Sequence, residues 1–143
     1  TYNYTVSAIN STGAVSTSYS GDILICSSSS STSPVTYNIG VDPNSSSNYR
    51  LQGSDRNGSL GNRDGLDPDI YFYVGDTIEF GVTATGHPFY LKTAAGTGTG
   101  DQIPGVTNNG TENGIVTWTP NTCGIYYYQC SIHADMVGTI FIQ

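Results

Sequence analysis

The residues best able to do chemistry lie in one short stretch near the C-terminus. Residues 126–138 read YYYQCSIHADMVG, so that Cys130, His133 and Met136 follow one another with two residues between each pair. A strand-like run leads into Cys130 and another begins at Val137, which places the three side chains on one connecting loop. A thiol, an imidazole and a thioether are soft or borderline ligands, so the stretch predicts a transition-metal site.

A further ligand is available upstream. His87 lies in the sequence TGHPF, between two strand-like runs, and is one of the 2 histidines of the chain. One thiolate, two imidazoles and a thioether form the set of a trigonal copper site, with Cys and both His in plane and a weak axial Met. Zinc would rarely recruit the Met, and non-haem iron would want a carboxylate. We therefore predict copper bound by His87, Cys130 and His133, with Met136 as axial ligand or, alternatively, as a core residue.

The segments that must position these ligands have the pattern of β-strands. Short apolar or alternating runs are separated by Gly, Pro, Asn and Asp, and no segment has a helical stripe. This pattern predicts an all-β Greek-key sandwich or a small barrel. We expect strands over residues 36–41, 49–52, 70–74, 77–83, 88–92, 114–119, 124–129 and 137–143.

Composition narrows the class of protein. Charged residues make up 10% of the chain, and 18 Gly and 11 Tyr contribute to a polar, uncharged composition typical of extracellular β-proteins. A net charge of -7 argues against binding to nucleic acid or anionic membranes. The longest apolar run, ILIC at 23–26, is too short for a membrane span. No nucleophile and base pair, phosphate loop or carboxylate dyad is recognisable, so we predict that the protein is not an enzyme.

Several motifs of the region 36–143 resemble those of the cupredoxins. Residues 74–80, VGDTIEF, are similar to the VGDTVxF motif of that family, and residues 118–128, WTPNTCGIYYY, are similar to its FTPxxxGxYxY approach to the Cys ligand. The resemblance implies a cupredoxin-like Greek-key β-sandwich with a type 1 copper ion. His87, Cys130 and His133 would be the equatorial ligands and Met136 the axial ligand. It also implies one-electron transfer, with His133 as the partly exposed exit for the electron.

Two residues depart from the family pattern. Pro88 replaces the Asn that usually follows the first His ligand, and a Pro has no backbone N–H to donate to the Cys sulfur. If nothing else donates, the resemblance implies a lower copper potential. Cys123 occupies a position that is usually filled by a small residue.

The 3 cysteines of the chain cannot all pair. With Cys130 assigned to copper, Cys26 and Cys123 remain for a disulfide that would close a long loop and contribute roughly 4 to 5 kcal/mol. Two buried, reduced thiols are the alternative.

The N-terminal region differs from the rest. Residues 1–26 predict a β-hairpin, and its sequence YNYTVSAINSTG resembles the last hairpin of a fibronectin type III module. An ordinary hairpin, or an extra strand on the following domain, is the alternative. Residues 27–35 are a Ser-rich linker and 36–143 the cupredoxin-like domain. Because the chain starts at Thr1, we expect a mature or excised piece of a longer polypeptide.

Four carboxylates occur in the segment 54–69, at Asp55, Asp64, Asp67 and Asp69. A calcium loop of the EF-hand kind would need a closing bidentate Glu, which the segment lacks. We therefore expect a solvated, turn-rich loop there rather than a calcium site.

Two functions follow from the sequence. The first is a type 1 copper domain that transfers one electron or holds copper, in a protein that is extracellular, periplasmic or on a cell or virion surface. Its partner would be a redox protein. The alternative is a structural module of a surface appendage or a virion fibre or decoration protein, whose partners are neighbouring subunits and whose copper site is structural or unused.

Overall fold

The computed structural model describes residues 6–10, 13–17, 32–62 and 66–143. Across these ranges the regular structure is strand apart from one turn of 3₁₀ helix at Leu60–Asn62, and no helix there is long and apolar enough to cross a membrane. The strands are β1 Val6–Asn10, β2 Gly13–Thr17, β3 Thr36–Pro43, β4 Tyr49–Gln52, β5 Ser54–Asp55, β6 Gly58–Ser59, β7 Ile70–Phe72, β8 Thr77–Thr83, β9 Phe89–Lys92, β10 Asn113–Trp118, β11 Gly124–Cys130 and β12 Val137–Ile142.

Eight of these strands form two four-stranded sheets. One has the order β10-β8-β3-β4 and the other the order β7-β12-β11-β9. Each sheet contains one parallel pair, β3 with β8 and β7 with β12, and its other pairs are antiparallel. The chain passes from the first sheet to the second between β8 and β9, and this crossing carries His87.

The core lies between the two sheets. In β8, Ile78, Phe80 and Val82 are buried and alternate with more exposed residues, as a strand with one apolar face requires. The Phe80 and Phe89 rings, one from each sheet, pack with their centroids 5.2 Å apart. The predicted all-β sandwich is confirmed.

The strands lie close to the predicted segments, with small differences at their ends. β7 ends at Phe72 rather than at Val74 because a turn begins there: the Asp76 N–H donates to the Tyr73 carbonyl at 3.1 Å, and Gly75 has a φ of +90°. That positive φ favours glycine.

The N-terminal region contains a pair of strands, and the predicted division of the chain into 1–26, 27–35 and 36–143 stays a prediction. β1 and β2 pair antiparallel, with Val6 opposite Thr17 and Asn10 opposite Gly13, in a two-stranded sheet of their own. The likeness to a fibronectin type III hairpin stays a prediction. Most of the Ser-rich linker lies outside the described residues, and so does Cys26. The predicted disulfide between Cys26 and Cys123 therefore also stays a prediction.

The segment 54–69 is more structured than a solvated loop. It contains β5, β6 and the 3₁₀ turn, and Leu60 is fully buried. Asp55 is buried and accepts hydrogen bonds from the backbone N–H groups of Asn57 and Tyr71. Asp67 accepts from the Tyr49 N–H at 2.9 Å. These carboxylates are thus used to hold backbone in place, a role that the sequence pattern does not reveal.

A buried ion pair fixes the start of the sandwich. Asp76 is fully buried, and its carboxylate accepts two hydrogen bonds from the Arg56 guanidinium, at 2.5 and 2.9 Å. It also accepts from the N–H groups of Val35 and Tyr73, at 2.9 and 2.8 Å. The Arg56 guanidinium lies 4.3 Å from the centre of the Tyr73 ring. Burial raises the pKa of Asp76, but these donors outweigh it and hold the pKa below its ordinary value of 3.8.

This ion pair predicts an acid-sensitive fold. Because the pKa of Asp76 is lower in the folded than in the unfolded state, its stabilisation is complete above about pH 5 and is lost as the pH falls through the unfolded pKa toward the lowered one. We expect Asp76→Asn to lower the free energy of unfolding by about 2 kcal/mol at pH 7. Between about pH 5 and pH 2, the free energy of unfolding should fall less steeply in the variant than in the wild type. Urea unfolding at several pH values measures both effects. Asp42→Asn is the matched control, because in the described part of the chain the Asp42 carboxylate accepts its hydrogen bond from the exposed Gln52 amide. Equal pH profiles for the two variants would refute this role of Asp76.

Candidate metal centre

Strand register brings the two ligand segments together. β9 and β11 are neighbours in the second sheet, and Phe89, the first residue of β9, pairs with Cys130, the last residue of β11. The Ser131 N–H continues this pairing by donating to the Pro88 carbonyl at 3.3 Å. His87, just before this point, therefore lies beside the loop that follows Cys130.

A tight turn aims His87 at that loop. The His87 N–H donates to the Ala84 carbonyl at 2.8 Å, closing a turn of four residues. Gly86 is the third residue of the turn and has a φ of +81°, as the third position of a type II turn requires. The Gly86 N–H donates to the Glu112 carboxylate at 2.8 Å, which holds the turn from outside.

The loop between β11 and β12 is closed by its own backbone. The Cys130 N–H donates to the Met136 carbonyl at 3.0 Å, and the Met136 N–H donates to the His133 carbonyl at 3.3 Å. These two bonds fold residues 130–136 into a compact loop. As a result, Cys130 and His133 present their side chains on the same side as His87.

Three of the four predicted ligands converge. The Nδ1 atoms of His87 and His133 are 3.1 Å apart, and the Cys130 Sγ is 3.4 Å from the His133 Nδ1. The ligand atoms of all three residues lie within 4.8 Å of one another. The imidazole rings are tilted by 35° with their centroids 4.7 Å apart. Within the described ranges this is the one group of His, Cys, Asp or Glu side chains arranged to hold a metal ion.

The geometry suits a small transition-metal ion. Metal bonds to imidazole nitrogen and thiolate sulfur are about 2.0 to 2.3 Å long. One ion can therefore bridge ligand atoms separated by roughly 3 to 4 Å, and the distances of 3.1 and 3.4 Å are in that range. Cys130 is fully buried and is a free thiol, whereas both histidines are partly exposed. The donor set, one sulfur and two imidazole nitrogens, is the set expected of a type 1 copper site.

The backbone of Met136 is hydrogen-bonded to the ligand residue Cys130. Its side chain is fully buried, and its carbonyl is bonded to the Cys130 N–H. Both sequence interpretations, an axial ligand and a core residue, are consistent with a buried side chain at this place. The axial role therefore stays a prediction.

Tyr49 is a neighbour of the site that the sequence analysis missed. It is the first residue of β4 and fully buried, and its hydroxyl lies 3.0 Å from the His87 carbonyl and 3.2 Å from the Pro88 carbonyl. The Cys130 side chain is close enough to this hydroxyl to influence it electrostatically. Burial, and then the charge of the nearby Cys130, raise the pKa of Tyr49, so the phenol keeps its proton.

The position of Tyr49 bears on the expectation of a lower copper potential, which followed from Pro88. That expectation, a lower copper potential, depended on there being no other donor near the sulfur. The one proton of the Tyr49 hydroxyl faces the His87 and Pro88 carbonyls, so Tyr49 supports the ligand segment rather than the sulfur, and the lower copper potential stays a prediction. No local sequence pattern identifies Tyr49, because its contact with Cys130 is made across the sandwich.

Comparison with known proteins gives distant similarities of shape. No protein-family model and no curated protein matches the chain. It is similar to the structure of reduced rusticyanin, with a TM-score of 0.48 and 20% identity over 78% of this chain and 82% of rusticyanin. Rusticyanin from Thiobacillus ferrooxidans gives a TM-score of 0.43 and 18% identity over 76% of this chain and 77% of the other. A multi-copper oxidase from Pediococcus acidilactici gives 0.37 and 17%, over 86% of this chain and 29% of the oxidase.

The arrangement of sheets and ligands is that expected of a cupredoxin-like fold. Two four-stranded sheets carry a His, Cys and His group on the two loops where the motifs predicted it.

Proposed function

We propose that residues 36–143 form a type 1 copper domain that transfers single electrons. The observation that carries the proposal is the convergence of the His87, Cys130 and His133 ligand atoms on one point. His87, Cys130 and His133 would be the equatorial ligands, and Met136 the axial ligand. Bound copper would supply the one-electron exchange between its cuprous and cupric states.

The protein contributes a fixed and partly shielded set of ligands. Cys130 is buried at the end of β11, and the His87 turn is held by Tyr49 and Glu112. Ligands held in this way move little when the charge at the site changes, which favours fast electron transfer. The partly exposed His133, next to Ile132 with 60% of its surface exposed, would be the contact through which electrons pass.

The location of the protein and the kind of partner it meets are also proposals. A composition low in charge, with a predicted Cys26–Cys123 disulfide, favours an extracellular, periplasmic or surface location. We expect a redox protein as partner, meeting the domain transiently at the His133 end. The net charge of -7 favours a partner with a basic contact surface.

A structural role is the second candidate. The separate hairpin of β1 and β2 ahead of the sandwich favours a multi-module surface protein, in which neighbouring subunits are the partners. The two roles are compatible, because a structural subunit can bind copper.

Cupric titration of the purified chain tests the proposal. We expect one equivalent of copper to produce an intense blue absorption, which ascorbate bleaches and a mild oxidant restores. Met136→Leu should keep the colour but change the reduction potential if Met136 is the axial ligand. A colourless cupric complex, or a chain that prefers zinc and gives no thiolate absorption with copper, would overturn the proposal. A colourless protein that assembles into polymers would favour the structural role.

A further inference from the structure

Gln129 is a buried polar residue whose side-chain amide reaches the ligand loop, residues 130–136. It is 1% exposed and lies directly before Cys130 on β11. Its amide nitrogen lies 3.1 Å from the Cys130 carbonyl and 3.0 Å from the His133 carbonyl. The same atom is 3.4 Å from the Ala134 carbonyl and 3.2 Å from the Met136 carbonyl.

These contacts make one side chain the common donor of the loop. A Gln amide has two N–H groups, which here face four carbonyl oxygens spread over residues 130–136. The Met136 and His133 carbonyls also accept backbone N–H groups of the loop, so the Gln129 amide adds a second donor to these two and ties them to the Cys130 and Ala134 carbonyls. The carbonyls of three residues predicted to bind copper, Cys130, His133 and Met136, are among those served.

The side-chain oxygen of Gln129 is also hydrogen-bonded. Its Oε1 accepts from the Gly96 N–H at 3.2 Å, and the Gly98 N–H donates to the Ser131 carbonyl at 2.6 Å. The segment that contains both glycines is in turn held by the buried Lys92, whose ammonium group donates to the Gly96 and Gly98 carbonyls at 2.5 and 3.2 Å. A continuous chain of hydrogen bonds thus runs from β9 through this segment to the ligand loop.

We propose that Gln129 is a positioning residue that holds the loop of Cys130, His133 and Met136 in its metal-binding shape before any metal binds. The inference builds on the proposed function but can be tested without copper. It concerns the shape of the metal-free loop, whose carbonyls face the side-chain amide of Gln129.

Hydrogen exchange of the metal-free protein, followed by NMR, is the primary test. In Gln129→Met, which keeps the length of the side chain but loses its donors, we expect the amides of Cys130 and Met136 to exchange at least about tenfold faster. Amides of β3 and β8 should keep their rates. Gln52→Met, at an exposed strand position, is the matched control and should alter neither region. Unchanged loop rates, or a uniform increase over the whole domain, would overturn the proposal.

Two further measurements complete the test. In the copper-loaded protein, Gln129→Met should shift the thiolate absorption and release copper at least about tenfold faster than the wild type, a change that mere destabilisation would not produce in the spectrum. If this variant does not fold, the test is made on the metal-free wild-type protein. There, the side-chain amide protons of Gln129 should exchange much more slowly than those of Gln52. Equal rates would refute the proposal. If the wild-type protein binds no copper, the proposed function is refuted. The proposed role of Gln129 is not, because the hydrogen-exchange rates of the metal-free protein test it separately.

Discussion

Cys130→Ser is expected to abolish the blue absorption completely. That absorption arises from a bond between cupric ion and thiolate sulfur, and Cys130 is the free thiol of the group formed with His87 and His133. We also expect cupric affinity to fall by at least about 100-fold, since losing even the outer partners of metal ligands costs about 10- to 100-fold. Visible absorption and competition with a chelator measure the two effects.

Cys123→Ser is the matched control for this variant. Cys123 lies before β11 and does not belong to the group of converging ligands. It should therefore keep the colour, although it loses stability if the predicted disulfide with Cys26 exists. A blue Cys130→Ser protein, or a colourless Cys123→Ser protein that is still folded, would contradict the assignment of the ligand.

Gly138→Ala is expected to be the most destabilising small substitution near the site. Gly138 on β12 pairs with Tyr128 on β11, and the Tyr128 ring and hydroxyl lie where a Cβ at Gly138 would be placed. Tyr128 is fully buried and its hydroxyl donates to the Pro68 carbonyl at 2.8 Å, so the ring cannot move without losing that bond. We expect a loss of about 3 kcal/mol or more in the free energy of unfolding.

Denaturant unfolding of the metal-free protein measures this loss. Gly40→Ala is the matched control, because Gly40 also lies in a strand but its added Cβ would meet the nearest atom, the Gln52 Cβ, at an ordinary 3.5 Å. We expect the control to change stability by no more than about 1 kcal/mol. Similar losses for both variants would show that the Tyr128 ring does not constrain Gly138.

The strands could be predicted because their signals are local. Alternation of buried and exposed residues, as in β8 and β12, sets a strand's period, and Gly, Pro, Asn and Asp mark where it ends. The ligands were also accessible to sequence analysis, because Cys130, His133 and Met136 are near neighbours in the chain. His87 is distant from these three residues in the sequence. Its position between two predicted strands indicated that it lies on a loop at one end of the sandwich.

The residues that support the ligands could not be predicted in this way. Tyr49 reaches Cys130 across the sandwich, and Asp67 in turn holds the Tyr49 backbone, so both roles depend on how the two sheets pack. In the sequence, Gln129 is a polar residue between Tyr128 and Cys130, a pattern that predicts an outward-facing side chain, whereas all three residues are buried and the Gln129 amide faces four carbonyls. Such roles follow from three-dimensional packing, which a local pattern of residue types does not encode.

X-ray absorption spectroscopy at the copper edge, on the protein loaded with one equivalent of cupric ion, tests the central claim most directly. We predict a short copper–sulfur bond together with two imidazole ligands, and loss of the sulfur contribution in Cys130→Ser. A metal surrounded only by nitrogen and oxygen in the wild type, or a spectrum that Cys130→Ser leaves unchanged, would contradict the proposal that His87, Cys130 and His133 bind copper.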